Sequence, residues 1–303
     1  MAAEITILGT GSMVPTKDRN VSGLYLEFNG EGMLFDCGEG TQRQMGLVGI
    51  SRAKVRRIFI THWHGDHVAG LIGLIQTIGN SNYTETLHIY GPTETKEKMF
   101  HMLNATIFEN KVDLKVHELR PEREEQLLFL DAEEYEVWCT SVDHGVPCLA
   151  YSWREKDRMR VDMGACARLG LKEGPLIGKL SRGEAVEVAG KRILPKEVTY
   201  KVTGKKFTLI PDTAPHPNLV RIAEHADLLV CESTYGSSEE EKAHEHRHMT
   251  AQWAAQVASR ADVKRLILTH FSQRYAVVTA LLEEARTIFP NADAAFDLMQ
   301  VTL

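Results

Sequence analysis

Residues 61–67 read Thr-His-Trp-His-Gly-Asp-His (THWHGDH), directly after the apolar run VRRIFI at 55–60 and leading into HVAGLIGLIQ. Three imidazoles and a carboxylate within seven residues crowd polar groups at the point where a strand pattern gives way to a helix pattern. In extended chain the period of two puts His62 and His64 on one side. Asp66 and His67 follow as the chain turns into the helix. The cluster therefore sits at the carboxyl end of a strand, where α/β folds commonly place their sites. Imidazole nitrogens with a carboxylate oxygen are a ligand set that zinc accepts. A chance group of surface histidines is the alternative.

Outside the cluster, the same alternation recurs. Short apolar runs end in turn signals at EITILGT, GLYLEF, MLFDCG, LHIYG, YEVWCTSV, KFTLIPD, ADLLVCE and VKRLILTH. Helical periodicity marks residues 67–79, 249–261 and 276–289. Strands interleaved with helices predict an α/β sandwich with helices covering the sheet faces. At 303 residues the chain has room for one large domain or two smaller ones at about 100–200 residues each. No apolar stretch approaches the ~18 residues of a membrane span, Leu71–Ile75 being among the longest. The opening MAAEITILGT enters a strand pattern without a basic or long apolar leader, so the expectation is a cytoplasmic protein with no membrane partner. Cys37, Cys139, Cys148, Cys166 and Cys231 are odd in number and lack CxxC spacing, which argues against a disulfide framework and a thiolate zinc site. A net charge of −6 supplies no global attraction to nucleic acid, so RNA binding would need a local patch. Gly9-Thr10-Gly11-Ser12 is an incomplete dinucleotide fingerprint, and no nucleotide cofactor is expected.

One stretch breaks the pattern. Residues 152–190 read as an inserted arm, irregular and rich in Gly and Arg, with GLKEGPLIGKLSRGE carrying Gly and Pro where a regular helix or central strand would not tolerate them. Residues 151–184 hold eight Lys or Arg against five Asp or Glu, a local excess that makes this arm the natural polyanion-binding patch, although a solvated loop would have the same composition. Three further groups repeat the placement of the cluster: His144 follows YEVWCTSV, Asp212 follows KFTLIP and His270 follows VKRLILT, each past an apolar run. Together they supply the ligands that a second metal would need.

With HWHGDH, His144, Asp212 and His270 in place, the chain resembles the metallo-β-lactamase superfamily, and within it the ribonuclease Z family. The narrower likeness is carried by PTKDRN at 15–20, FDCGEGTQRQ at 35–44, GLKEGPLIGKL at 170–180, HMT at 248–250 and THFSQRY at 269–275, so it spans nearly the whole chain. The resemblance implies a four-layer αββα sandwich forming a single domain over residues 1–303, with the arm as a flexible exosite for precursor transfer RNA. It implies two zinc ions per subunit, with manganese or another divalent ion as a substitute. One would take His62, His64 and His144, the other Asp66, His67 and His270, and Asp212 would bridge them. A hydroxide shared by the metals would attack phosphorus, oriented by Asp66. His248 and Glu232 would deliver the proton to the departing ribose oxygen, leaving a 3′-hydroxyl. Lys17 and Arg19, Ser272 and Arg274, and in the arm Gly174, Pro175, Gly178 and Lys179 are candidate RNA contacts, against ordinary surface charge for the first pair. A homodimer is implied as well. The family's HEAT-like motif is here Cys231-Glu232-Ser233-Thr234, and its aspartate loop is Pro211-Asp212-Thr213. Two rivals stand: a hydrolase of the same fold acting on a small ester or phosphodiester, and a non-catalytic RNA-binding scaffold.

Overall fold

The computed structural model describes residues 2–81, 83–122, 125–172, 174–188 and 190–303. Glu173, counted above in the arm's charge, lies outside them. The chain divides into two compact units, one formed by residues 1–131, 137–153 and 206–303, the other by residues 132–136 and 154–205.

The larger unit is built on two seven-stranded sheets. The first runs in spatial order Met299–Thr302, Glu4–Gly9, Gly23–Phe28, Glu31–Phe35, Val55–Phe59, Thr86–Gly91 and Asp113–Glu118. The second runs Ala292–Ala294, Leu266–Thr269, Leu228–Glu232, Lys206–Ile210, Pro147–Glu155, Tyr135–Asp143 and Leu127–Asp131. Aromatic side chains knit the facing surfaces. Phe35 meets Phe207 at 5.6 Å between ring centroids, Phe59 meets Tyr151 at 5.6 Å, and Phe28 meets Trp153 at 5.1 Å. The opposite face of the first sheet buries Leu34, Ile58, Leu87 and Ile89 against Leu71, Leu74, Ile75 and Ile78. Those four fall at the i, i+3, i+4, i+7 spacing of one helical stripe in Leu71–Gly79. On the second sheet, helix Ala251–Arg260 packs its small residues Ala254, Ala255 and Ala258 toward strands Leu228–Glu232 and Leu266–Thr269. The result is the αββα layering. Among the described residues no helix is long and apolar enough to cross a membrane, and all five cysteines are buried and unpaired.

The expected helix at 67–79 is two helices, Gly65–Val68 and Leu71–Gly79. Between them stands Gly70, where a Cβ would meet the Gly38 carbonyl oxygen at 2.2 Å, so only glycine lets the two backbones approach this closely.

The arm is more regular than its composition suggests. In the second unit strand Arg158–Val161 pairs with Thr199–Val202 and Val186–Val188 with Lys191–Ile193. Helices Met163–Arg168 and Pro175–Ser181 close a small core of Cys166, Leu171, Leu180, Val186, Ile193 and Val198. Pro175, read from sequence as a breaker, occupies the first helical turn, where its fixed φ suits the helix and its missing N–H costs no hydrogen bond. Asp162 caps the other helix by accepting a hydrogen bond from the Ala165 amide at 3.0 Å. The span 152–190 falls largely within this unit, which continues to Lys205.

Candidate active site

Strand Val55–Phe59 lies between two parallel neighbours, Glu31–Phe35 and Thr86–Gly91. Just beyond its end, Thr61 is gripped by Asp36 from the end of the adjacent strand: Oδ1 accepts from the Thr61 amide at 2.8 Å and Oδ2 from its hydroxyl at 2.8 Å. That grip aims His62 inward. His64 then stands in extended conformation at the start of helix Gly65–Val68, which carries Asp66 and His67. Asp212, Glu232 and His270 come from the carboxyl ends of three adjacent parallel strands of the second sheet, and His144 follows Asp143 at the end of its own strand.

The seven residues expected as ligands converge in two sets sharing Asp212. In the first, His62 Nε2 and His144 Nε2 lie 3.1 and 3.2 Å from His64 Nδ1, and 3.8 and 3.7 Å from Asp212 Oδ2. In the second, His67 Nε2 and His270 Nε2 are 3.4 Å apart, each 3.5 Å from Asp66 Oδ2, and 3.5 and 3.2 Å from Asp212 Oδ1. Four ligands held tetrahedrally at ~2.0–2.1 Å from one ion are separated by about 3.3–3.4 Å. The nitrogen–nitrogen separations of both sets, 3.1–3.4 Å, fit that edge length, and the Asp212 oxygens stand at 3.2–3.5 Å in the second set and 3.7–3.8 Å in the first.

Asp212 Oδ1 is buried without a hydrogen bond, although two imidazole nitrogens lie within 3.5 Å. Its neighbours face a common centre rather than the oxygen itself. A buried carboxylate oxygen left in that state is expensive unless a cation fills the centre. The electrostatics agree. Burial alone would raise Asp66 and Asp212, but the surrounding histidines hold both carboxyls well below the usual range. Burial lowers His62 and His144, leaving them neutral and able to ligate. His67 is the exception: burial would lower it, but Asp212 and Asp36 outweigh burial and drive it well up. Two buried carboxylates, Asp36 and Asp212, and the partly buried Asp66 thus demand positive charge at this point, as a divalent metal site does.

The outer contacts fix each ring. His67 Nδ1 donates to Asp36 Oδ2 at 2.7 Å, His144 Nδ1 to the Arg247 carbonyl at 3.1 Å, and His270 Nδ1 to Thr234 Oγ1 at 2.9 Å. Such partners set the tautomer so that the other nitrogen presents its lone pair. The Thr234 hydroxyl in turn donates a hydrogen bond to Glu232 Oε2 at 2.8 Å. Glu232, fully buried, also accepts from the amides of Thr213, Thr234 and Met249 at 2.9–3.0 Å. His248 Nδ1 donates to Glu232 Oε1 at 3.0 Å, which leaves Nε2 for the cleft. Burial would lower His248, but the Glu232 carboxylate outweighs it and pushes the ring up to about 9.

His64, Asp66, His144, Asp212, Thr234 and His248 line a cleft of about 770 Å³ with Ser12, Met13, Glu39, Tyr235, Ser272 and Arg274 on its walls. Of the expected RNA contacts, Ser272 and Arg274 belong to this cleft, with Arg274 over the Tyr235 ring and paired to Glu239 at 2.8 Å. Arg19 is committed elsewhere: its guanidinium donates to the carbonyls of Tyr275 and Ala276 and lies over Phe271. Lys17 is exposed beside Asp18. Gly174, Pro175, Gly178 and Lys179 all lie in the second unit. Sequence reasoning did not single out Asp36, Thr61, Thr234 or the Arg247 carbonyl as supports. Asp36 lies within FDCGEGTQRQ, but nothing in a linear pattern says that the end of the neighbouring strand, 31 residues earlier, will hold His67.

Two sheets with this His/Asp cluster at their strand ends define a metallo-β-lactamase-fold protein. The metallo-β-lactamase fold protein YhfI of Bacillus subtilis superposes with a TM-score of 0.71 at 19% identity, covering 100% of this chain and 99% of that one, a likeness of fold. A family model described as Anti-Pycsar protein Apyc1 matches residues 3–126, the portion that carries His62–His67. Ribonuclease Z of Methanothermobacter thermautotrophicus is 46% identical over 299 residues, 98% of this chain and 96% of that protein. Human tRNase Z, short form, superposes with a TM-score of 0.74 at 28% identity, covering 98% of each chain. The chain belongs to the ribonuclease Z family.

Proposed function

We propose that this chain removes the 3′ trailer from precursor transfer RNA by a single internal cut that leaves a 3′-hydroxyl. Its family makes it a hydrolytic endoribonuclease. The observation that carries the reading is the pair of ligand sets around Asp212, with His248 beside them in one cleft and Glu232 buried behind it. His62, His64 and His144 would hold one zinc and Asp66, His67 and His270 the other. Bound there, two such ions supply charge neutralisation for phosphoryl oxygens and a water made acidic near neutral pH.

The chain's own residues do the rest. Asp66, whose Oδ2 accepts from the Met13 amide at 2.8 Å, is fixed as an acceptor that orients the attacking water. Glu232 keeps His248 protonated with Nε2 toward the cleft, where it donates to the departing ribose 3′-oxygen. Ser272 and Arg274 offer a hydroxyl and a guanidinium on the cleft wall for the flanking backbone. The basic arm would grip the body of the transfer RNA, and a cytoplasmic homodimer is the working form that this reading carries forward. Incubating the purified protein with a precursor transfer RNA and mapping both product ends tests it. A trailer with a 5′-phosphate and a body with a 3′-hydroxyl is the expected pair; cleavage of small phosphodiesters with the precursor left intact would refute the reading.

A further inference from the structure

On the other side of His64 from the shared Asp212, a second pocket of about 250 Å³ opens, lined by Trp63, His64, Glu94, Lys98, Val146 and Pro147 among others. His64 borders both this pocket and the large cleft, so the two spaces meet at a single side chain. The Trp63 indole is half-buried and locked, its Nε1 donating to Thr95 Oγ1 at 2.9 Å. Val146 and Pro147 provide an apolar wall. Lys98 and Glu94, paired at 3.0 Å and both part exposed, provide a polar edge. A fixed aromatic ring opposed by aliphatic surface, with a cation and a carboxylate at one rim, is how proteins take hold of a planar heterocycle.

The chemistry says which heterocycle. If the reaction leaves a 3′-hydroxyl, the departing oxygen belongs to the nucleotide on the 5′ side of the cut, and that ribose must lie at His248. His248 packs beside His144 and His270, with ring centroids 4.9 and 5.6 Å away, while His64 stands beyond His144. Because His64 borders both the cleft and the pocket, a strand that continues past the scissile phosphate toward His64 enters the pocket. Resting on the nuclease reading, we propose that this pocket receives the base of the first trailer nucleotide, stacked on Trp63, with Lys98 close to its phosphate or carbonyl edge. The pocket would then position the scissile phosphate by holding the nucleotide that follows it.

The test uses precursor transfer RNAs that differ at one trailer position. Wild-type protein is given a normal trailer, a trailer abasic at its first nucleotide, and one abasic at its second. Loss of one base–aromatic stack corresponds to roughly 10- to 100-fold in kcat/KM. We expect that loss for the first abasic substrate and little change for the second. In Trp63→Leu the normal substrate should fall to the level of the first abasic one, and removing the base should cost nothing further. Equal cleavage of all three substrates by the wild type overturns the pocket assignment, as does an undiminished abasic penalty in Trp63→Leu. Failure to cut any of the three while a small phosphodiester is hydrolysed overturns the nuclease reading, and the pocket with it.

Discussion

Asp36→Asn is the change that most directly tests how the cluster is held. The carboxylate receives three hydrogen bonds inside the protein, from the Thr61 amide, the Thr61 hydroxyl and His67 Nδ1, all at 2.7–2.8 Å. Asparagine keeps the size and, with φ near +58°, the backbone conformation that Asp and Asn tolerate better than most residues. What it loses is one acceptor. If its amide oxygen faces Thr61 Oγ1 and His67, the NH₂ confronts the Thr61 amide and a buried donor goes unsatisfied, at about 1–3 kcal/mol. The melting temperature then falls by roughly 2–4 °C per kcal/mol. If the amide flips, NH₂ confronts His67 Nδ1 and forces the proton to Nε2, the atom that faces Asp212 and His270. Metal affinity then drops by the ~10–100-fold typical of lost outer partners. Calorimetry on metal-free protein reads the first cost, and zinc titration against a competing chelator reads the second. Either loss supports the argument; a variant that melts, binds zinc and cleaves like the wild type would show that Asp36 neither holds the Thr61 turn nor sets His67.

Other outcomes follow from the same geometry. Asp212→Ala, removing the residue common to both ligand sets, should abolish activity and take metal content from about two ions to one or none; two ions retained by elemental analysis would contradict bridging. Because the His248 proton is held up to about 9, donation is available at neutral pH and is lost as pH rises through that value, or somewhat below it once bound dications oppose the Glu232 charge. Glu232→Gln should shift this alkaline limb of kcat to lower pH, and an unmoved limb would detach Glu232 from proton delivery. Deleting residues 158–203 and joining Asp157 to Gly204, whose amide already donates to Asp157 Oδ1 at 2.9 Å, should spare metal content and hydrolysis of a small phosphodiester. Precursor binding should weaken sharply and lose most of its salt dependence; unchanged affinity would reduce the arm to a surface module.

Much of this is legible in the sequence alone. Alternating apolar runs and helical stripes announce an α/β sandwich, and His144, Asp212 and His270 each follow an apolar run, as the 62–67 cluster does. What the sequence hid was of two kinds. Strand Pro147–Glu155 is buried on both faces and so shows no alternation, and its Pro, Ser and Arg leave it without the unbroken apolar run that marks ADLLVCE. The supports of the site, Asp36 on His67 and Thr234 on His270, are contacts across 31 and 36 residues that only the parallel register of adjacent strands creates. The arm misled for a third reason. Gly174 and Pro175 open one short helix, Gly170 and Gly183 follow the ends of two, and Gly164 and Gly178 are carried within them, so none of these residues forbids the elements.

The strained backbone shows where the fold has been bent to the chemistry. Nine non-glycine residues adopt left-handed conformations among the described residues. Four support the His/Asp cluster directly: Asp36, His270, Met13 through its amide to Asp66, and Arg247 through its carbonyl to His144. A fifth, Glu94, edges the pocket beside Trp63. Such residues cost of order 1–3 kcal/mol each and persist where surrounding structure over-determines them. Glycine would relieve the strain at any of them, with different consequences. At Asp36 and His270 it would remove the group that holds or forms the site, so strain and function share one side chain. At Arg247 the functional atom is a main-chain carbonyl that glycine keeps, and the side chain adds an exposed ion pair to Asp143 at 2.8 Å, worth little. Arg247→Gly should therefore leave His144 anchored and the enzyme active with undiminished stability. Should it instead lose metal, the arginine side chain would have to be fixing the loop that presents the carbonyl, and the strain there would be the lesser part of the design.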